Sequence, residues 1–386
     1  MPLAPSQSLT EHWLFILGRD AILSEAEIMA WLKRKQISYE RVSLIQNQYL
    51  IIRLDKNFPA HTAILQLGGT IKIAEKISAT ADADSVAKSL RAEIPVGKII
   101  FSINCHDQNF GLTVKRILKT NGRMARYIQP KNSATVLHND LVHKGRDLTV
   151  INDQVFATRA LQPFEAIGDR DYNRPGRDDV SGMLPPKLAM ILINLAEQDE
   201  NSVILDPFCG SGTVITEAAL AGYKNIFGTD LSDQAIADSR DNVVWIKARA
   251  QDAVTAKISI FKADVTQLSE KIKPSSVDAI ITEPYLGKPL TGRETTAEFN
   301  AQIKKLKELY LSAFLQFKIV LKSQGVVIFV IPEFSVGQTK MTINCVAEIK
   351  NLGFALMPTS PNTEFLLYKR PEQHLGRRIY KFIKNN

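Results

Sequence analysis

Cysteine is scarce in this chain of 386 residues: Cys105, Cys209 and Cys345 stand far apart and odd in number, which argues against a disulfide framework. Histidine is also thin. His12, His61, His106, His138, His143 and His374 show no ligand spacing, and the neighbours Cys105 and His106 have no second pair to complete a site, so no metal is expected. No stretch approaches the roughly 18 uninterrupted apolar residues of a membrane-spanning helix. The opening MPLAPSQSLTEHW has neither the basic start nor the apolar core of a secretory signal, so the expected location is cytoplasmic. No GxxxxGK loop occurs, which makes ATP or GTP a poor fit.

What is present is an ordinary globular composition, 45% hydrophobic and 23% charged. The length exceeds what one hydrophobic core usually organises, so two or three domains are expected. Net charge is +8. The segment GLTVKRILKTNGRMARYIQPK, residues 111–131, carries Lys115, Arg116, Lys119, Arg123, Arg126 and Lys131 without one acid. The tail KRPEQHLGRRIYKFIKNN adds Lys369, Arg370, Arg377, Arg378, Lys381 and Lys384 against Glu372 alone. Two such runs favour a nucleic-acid surface over ordinary solvated faces.

The first part reads as α+β. WLFILG, YLIIRL and TIKIAEKI are expected strands, and Ser24 followed by Glu27 has the capping-box spacing ahead of an amphipathic helix. A second unit is expected from Asp82, through strand KIIFSINC and a basic helix near 110–120, to QVFATRAL. A polar stretch rich in glycine and proline follows, and from Leu184 strands and helices alternate: SVILD, NIFGTD, ISIFKAD, VDAIIT and GVVIFVIP separated by helical segments. Continuous apolar strands in that alternation indicate a doubly wound sheet with both faces covered.

Ligands of such sheets bind at the carboxyl ends of the strands. There the first strand runs into DPFCGSGTVITEA, where Asp206 precedes Gly210 and Gly212 and a helix begins at once. The second ends at Asp230, with Leu231 beside it, and the third at Asp264. Asp230 is placed to accept both hydroxyls of a ribose, and Asp264 an adenine amino group. Carboxylates at three successive strand ends oppose a diphosphate and suit S-adenosylmethionine, whose sulfonium is positive. The fourth strand runs straight into Glu283, Pro284 and Tyr285. A stiffened loop with a carboxylate and an aromatic can hold an exocyclic amine in line with a methyl group while the ring stacks on a flat base.

LDPFCGSGTVITEAAL, GTDLSDQAIADSRDN and the acid–proline–aromatic loop together resemble the THUMP-domain RNA methyltransferases, in particular the tRNA guanosine N2-methyltransferases of the position-10 type. RDYNRPGRDDVSGMLPPKLAMILINLA is similar to the stretch this group carries ahead of its first motif strand, and LGRDAILSEAEI and LGGTIKIAEKI resemble its N-terminal domain. The resemblance implies an α/β chain: a ferredoxin-like domain at 1–81, a THUMP-like RNA-binding domain at 82–158, a linker at 159–184 contributing to the cleft, and a Rossmann-like methyltransferase domain at 185–386. It implies S-adenosylmethionine on Asp206, Gly210, Gly212, Asp230 and Asp264. Arg174, Arg177, Ser181, Gly182 and Met183 would help shape the pocket, the two arginines against RNA and Met183 against the cofactor. tRNA would be the partner of the run from Lys115 to Lys131, and a small accessory protein is admitted because some relatives act with one. The family's loop is usually acid or Asn, Pro, Pro, aromatic. Aligned without a gap, Glu283 is the acid, Tyr285 stands at the second proline and Leu286 at the aromatic; shifted, Tyr285 is the aromatic and Thr282 takes the acid's place.

The chemistry expected is methyl transfer to the exocyclic N2 of a guanosine drawn out of folded tRNA. Adenine N6 or another exocyclic amine of RNA or DNA is the nearest rival. A non-catalytic RNA-binding protein retaining the cofactor is the rival from another class.

Overall fold

The computed structural model describes residues 9–177, 183–250, 254–288, 296–336, 339–359, 363–370, 373 and 375–386; Ser181, Gly182 and Glu372 lie outside these. The chain divides into two compact units, one of Met1–Ala21, Ile37–Gln66 and Thr70–Pro163, the other of Ile22–Gln36, Leu67–Gly69 and Phe164–Asn386.

The first unit is built on β1 (Glu11–Leu17), β2 (Glu40–Ile45), β3 (Tyr49–Leu54), β4 (Thr70–Ser78), β5 (Ile99–Asn104), β6 (Ala125–Tyr127), β7 (Arg146–Ile151) and β8 (Gln154–Leu161). They form one eight-stranded sheet in the order β2-β3-β1-β4-β8-β7-β5-β6. The segments on either side of Asp82 therefore share a sheet, joined where β4 pairs antiparallel with β8. The helices of this unit are α2 (Ala60–Gln66), α3 (Ala83–Glu93), α4 (Phe110–Thr120) and α5 (Ser133–His138). Of these, α3 and α4 bury Val86, Leu90, Val114 and Leu118 in the core with Phe101 and Leu148. The side chain of Asp82 caps α3 by accepting from Ser85 N at 2.8 Å. The short β2 and the helix α3 were not apparent from the sequence pattern, since α3 carries only three fully buried positions.

The second unit contains most of α1 (Ala21–Arg34), then α6 (Phe164–Tyr172), α7 (Pro186–Leu195), β9 (Val203–Asp206), α8 (Thr213–Leu220), β10 (Asn225–Asp230), α9 (Asp233–Ala250), β11 (Lys257–Lys262), a 3-10 helix (Val265–Glu270), β12 (Val277–Thr282), α10 (Thr296–Val320), β13 (Leu321–Val336), β14 (Thr339–Thr342), α11 (Val346–Asn351), β15 (Phe354–Met357), β16 (Leu366–Tyr368) and β17 (Leu375–Lys384). The main path of its sheet is β11-β10-β9-β12-β13-β17-β15, with β17 antiparallel to both neighbours. One face packs on α7 and α8 through Leu188, Leu192, Val214 and Ile215; the other packs on α10 through Tyr310, Phe314 and Phe317. The expected doubly wound sheet is borne out. Strand order reverses between β9 and β12, which makes their carboxyl ends the switch point where sheets of this class leave a crevice for ligands.

The capping box expected at Ser24 and Glu27 is corrected. Helix α1 starts three residues earlier, at Ala21, so both residues are interior and both are buried. Glu27 accepts from Gly68 N (2.8 Å), Gly69 N (2.7 Å) and Asn194 Nδ2 (2.9 Å), tying α1 to α7 and to the turn at residues 67–69. Burial lifts its carboxyl to about 7, against the pull of these donors and of Arg34. Glu27→Ala leaves three buried donors without their acceptor and is expected to lower stability by about 3 kcal/mol or more. Glu27→Gln, which keeps one acceptor oxygen, should lose less; chemical denaturation of the two variants measures both effects.

Among the described residues no helix is long and apolar enough to cross a membrane. Nor does any group of three or more His, Cys, Asp or Glu among them suit a metal ion. The three cysteines are free.

Candidate active site

The crevice is lined first by the turn between β9 and α8. Gly212 caps α8 at φ +81°, and a Cβ there would lie 2.3 Å from Ser239 Oγ. Gly210 also has positive φ, +50°, but faces open space, so the turn leaves room for a ligand to pass close to the backbone. Asp206 is buried beneath it. Its Oδ1 accepts from Thr282 Oγ1 at 2.6 Å and from Phe208 N at 3.2 Å. Burial pushes its carboxyl up to about 7, with the nearby charges of Asp230 and Glu283 adding to the shift and the two hydrogen bonds opposing it.

Asp230 accepts from Gly210 N at 3.0 Å through one oxygen and from Ser232 N at 2.9 Å through the other, which locks the second strand end to the glycine turn. Leu231 beside it is 63% exposed. Asp264 caps the 3-10 helix, accepting from Thr266 N and Oγ1, both at 2.8 Å. Cys209 is buried between these acids, and burial raises its thiol well above the usual range, so it stays a neutral packing group.

Two of the arginines expected at RNA sit differently. Arg174 is only 5% exposed; it donates to Thr213 Oγ1 at the start of α8 and, at 2.9 Å, to Met183 Sδ. The expectation of an RNA contact for Arg174 is thus corrected: the side chain is almost wholly buried and braces the start of α8. Arg177 is exposed and donates to the carbonyl of Tyr172.

The loop after β12 is anchored on three sides. Thr282 is buried and donates to Asp206, so it cannot serve as the acidic acceptor in the shifted register. Glu283 meets Arg377 of β17 in a two-pronged ion pair, Nε to Oε1 at 2.5 Å and Nη2 to Oε2 at 3.2 Å. Tyr310 of α10 donates its hydroxyl to the Tyr285 carbonyl at 2.8 Å. The Tyr285 ring is 48% exposed, whereas Leu286 packs against the core. Of the two registers, the loop thus presents Glu283 as its carboxylate and Tyr285 as its exposed aromatic.

Neither the Arg377 anchor nor the Tyr310 anchor was apparent from the sequence. Arg377 belongs to the basic tail, and the expected nucleic-acid surface there is corrected in part, because most of these bases turn to partners within the unit. Arg378 pairs with Glu333 at 2.5 Å, Lys381 with Glu197 at 2.8 Å, Lys384 donates to Leu321 O at 2.7 Å, and Lys369 to Ser335 Oγ at 2.5 Å. The period-two pattern of LGRRIYKFIK was the available signal: it marks a strand, and here a strand between two others.

The other basic run stays open to solvent. Arg116 and Lys119 on α4, Arg126 on β6 and Lys131 are exposed, and Lys115 is half-buried. Arg123 is the exception and is corrected: its guanidinium donates to the carbonyls of Ile94 (2.7 Å), Pro95 (3.1 Å) and Gly97 (3.1 Å), clamping a loop.

Residues 174–344 match the family described as RMKL-like, methyltransferase domain. The chain is 31% identical over 142 residues to a tRNA (guanine(10)-N2)-dimethyltransferase of Methanothermobacter thermautotrophicus, a match covering 36% of this chain and 38% of that protein. It is 33% identical over 103 residues to the U6 snRNA (guanine-N(2))-methyltransferase THUMPD2 of Mus musculus, covering 26% of this chain and 19% of that one. The chain thus spans well under half the length of these two relatives. TrmN from Thermus thermophilus shares the fold, with a TM-score of 0.54 at 16% identity over 97% of this chain and 99% of that chain. The family match and the two relatives bear out the resemblance read from the motifs over the methyltransferase part of the chain, and TrmN bears out the fold.

Proposed function

We propose that this chain is an S-adenosylmethionine-dependent RNA methyltransferase that places a methyl group on the exocyclic N2 of a guanosine in tRNA. The observation that carries the reading is the junction of two sites at the strand ends: a carboxylate-lined glycine turn and, bonded to it through Thr282 and Asp206, a loop presenting Glu283 and Tyr285. The relatives' names supply the guanine and the tRNA. The proposed division is 1–81 ferredoxin-like, 82–158 THUMP-like, 159–184 linker and 185–386 methyltransferase.

The crevice fits the cofactor in kind. Gly210 leaves open space, Asp206, Asp230 and Asp264 offer acceptors to cationic and hydroxyl groups, and Leu231 offers an apolar cover. Asp230 would take the ribose hydroxyls and Asp264 the adenine amino group, with Met183 and Gly212 shaping the turn. When bound, S-adenosylmethionine supplies a methyl carbon made electrophilic by the sulfonium.

The rest is done by this chain's residues. Tyr285 stacks on the guanine face and fixes the plane of the base. Glu283 accepts one hydrogen of the N2 amine, which turns the nitrogen lone pair out of conjugation and toward the methyl group, and draws off the proton once nitrogen carries positive charge. Pro284 keeps the loop backbone stiff. Arg116, Lys119, Arg126 and Lys131, with Lys115 beside them, hold the phosphate backbone.

Transcribed tRNA tests the chemistry against a copy in which inosine, lacking the 2-amino group, replaces guanosine. Labelled methyl is expected in the first and absent from the second; equal label in both would sink the N2 reading. An RNA other than tRNA is the second reading, favoured by the U6 snRNA relative. For the RNA surface, Arg116→Glu with Lys119→Glu is expected to weaken tRNA binding about tenfold or more. The slope of log affinity against log salt should fall by roughly 1 for each phosphate that is no longer neutralised. Binding titrations at several salt concentrations measure both, and S-adenosylmethionine affinity should not change.

A further inference from the structure

The methyl-acceptor loop of this chain has a carboxylate on a longer stem than aspartate and lacks a second proline, so two sources of stiffness are missing from it. A glutamate has one more rotatable bond, and freezing it costs entropy. The ion pair with Arg377 supplies what is missing. In the sheet, β12 and β17 are separated by β13, with Pro332 of β13 directly opposite Arg377. The gap between β12 and β17 is about 9.6 Å at the usual strand spacing. Two long side chains bridge it, one from each strand's end, whereas an aspartate would reach less far. Both partners are largely removed from water, with side chains 9% and 12% exposed, and the pair is two-pronged, the geometry in which an arginine fixes direction as well as distance. Glu283 keeps further lone pairs for an incoming amine, because each carboxylate oxygen accepts two hydrogen bonds.

We infer that Arg377 is a positioning residue for methyl transfer, holding the Glu283 carboxylate and with it the loop in the orientation that receives the amine. The inference rests on the function proposed above. It places a requirement of the reaction on the last strand of the sheet, outside the residues 174–344 that match the methyltransferase family.

The experiment compares Arg377→Met and Arg377→Lys with Lys381→Met, which breaks another internal ion pair of the same strand, to Glu197, away from the loop. Three quantities are read: kcat on unmodified tRNA, S-adenosylmethionine affinity by calorimetry, and amide hydrogen exchange over residues 282–287 and 206–213. Arg377→Met is expected to lower kcat about a hundredfold, the scale on which misplaced reacting groups fail. Cofactor affinity should stay within twofold, and exchange should quicken in 282–287 but not in 206–213. Arg377→Lys, which keeps the charge and one hydrogen bond, is expected to recover about tenfold, and Lys381→Met to leave all three readings as they were. Unchanged kcat and loop exchange in Arg377→Met would overturn the inference, as would parallel loss of cofactor binding and protection at both segments. If Arg377→Met does not fold, Arg377→Lys decides, since an unaltered loop and kcat in that variant would overturn it equally. Should the unaltered protein transfer no methyl to RNA, the proposed function falls, while exchange over 282–287 still reads whether Arg377 orders the loop.

Discussion

Replacing Glu283 with alanine is expected to lower methyl transfer by a hundredfold or more while leaving S-adenosylmethionine affinity within a few-fold of the unaltered protein. The size follows from what the carboxylate does. A positioned acceptor that strengthens as charge develops on nitrogen contributes on the order of 10²–10³ in kcat, and a reacting group displaced by an ångström loses a comparable factor. The glycine turn proposed for the cofactor is held by its own bonds, Asp230 to Gly210 N and Thr282 to Asp206, and none of them involves Glu283. Glu283→Gln retains one acceptor oxygen but forfeits the charge and the two-pronged pairing with Arg377, so an intermediate loss of roughly tenfold is expected. Single-turnover kinetics with saturating cofactor, beside calorimetry, separate the two quantities. A fall in cofactor affinity as large as the fall in rate would mean that Glu283 holds the cleft together and has no part in the transfer.

Affinity for S-adenosylmethionine should rise with pH through about 7, and Asp206 is the reason. Its carboxyl sits near 7 because burial disfavours the charge. A cationic ligand beside it favours the ionised form, so binding below that pH must release a proton. The expected result is an affinity that falls by up to about tenfold per pH unit below 7 and levels off above it. Calorimetry in buffers of different ionisation heat should detect the released proton near pH 6. Asp206→Asn removes both the proton release and the slope and binds about ten- to a hundredfold more weakly at pH 8. For the ligand-free fold the sign is opposite. A carboxyl raised from 3.8 to about 7 contributes stability in full below about 4, and that contribution is lost as pH rises through 7. Glu27, raised from 4.5 to about 7, acts in the same direction. Ligand-free protein should therefore unfold at a higher temperature near pH 5 than near pH 7.5 as far as these two groups decide it.

The features legible in the sequence were those written in local pattern. Apolar strands ending in Asp206 and Asp230, and a third ending two residues before Asp264, each followed by a helical segment, mark the binding edge of the sheet without any long-range information, because the carboxyl end of a strand in this class of sheet is already a place in space. The place of Glu283 and Tyr285 just past the end of β12 was legible for the same reason. What the pattern could not carry was pairing across the sheet. Arg377 lies 94 residues from Glu283 in the chain and beside it in the fold. Tyr310 reached the loop carbonyl from a helix that reads as plain core. Charge counts misled for a related reason: a base in an interior strand and a base on an exposed helix contribute equally to a net charge, but Arg378 is paired with the buried Glu333 and Lys381 with the half-buried Glu197, whereas Arg116 and Lys119 face water. Ser24 and Glu27 failed as a helix start because the same spacing arises inside a helix whenever two polar residues face a buried hydrogen-bonding site.

The most direct test is incubation of unmodified total tRNA with labelled S-adenosylmethionine and the protein, followed by nucleoside mass spectrometry, with Glu283→Ala run in parallel. N2-methylguanosine that appears with the unaltered protein and vanishes with the variant is the predicted result. No label in any nucleoside, from a protein that demonstrably binds the cofactor, would contradict the account.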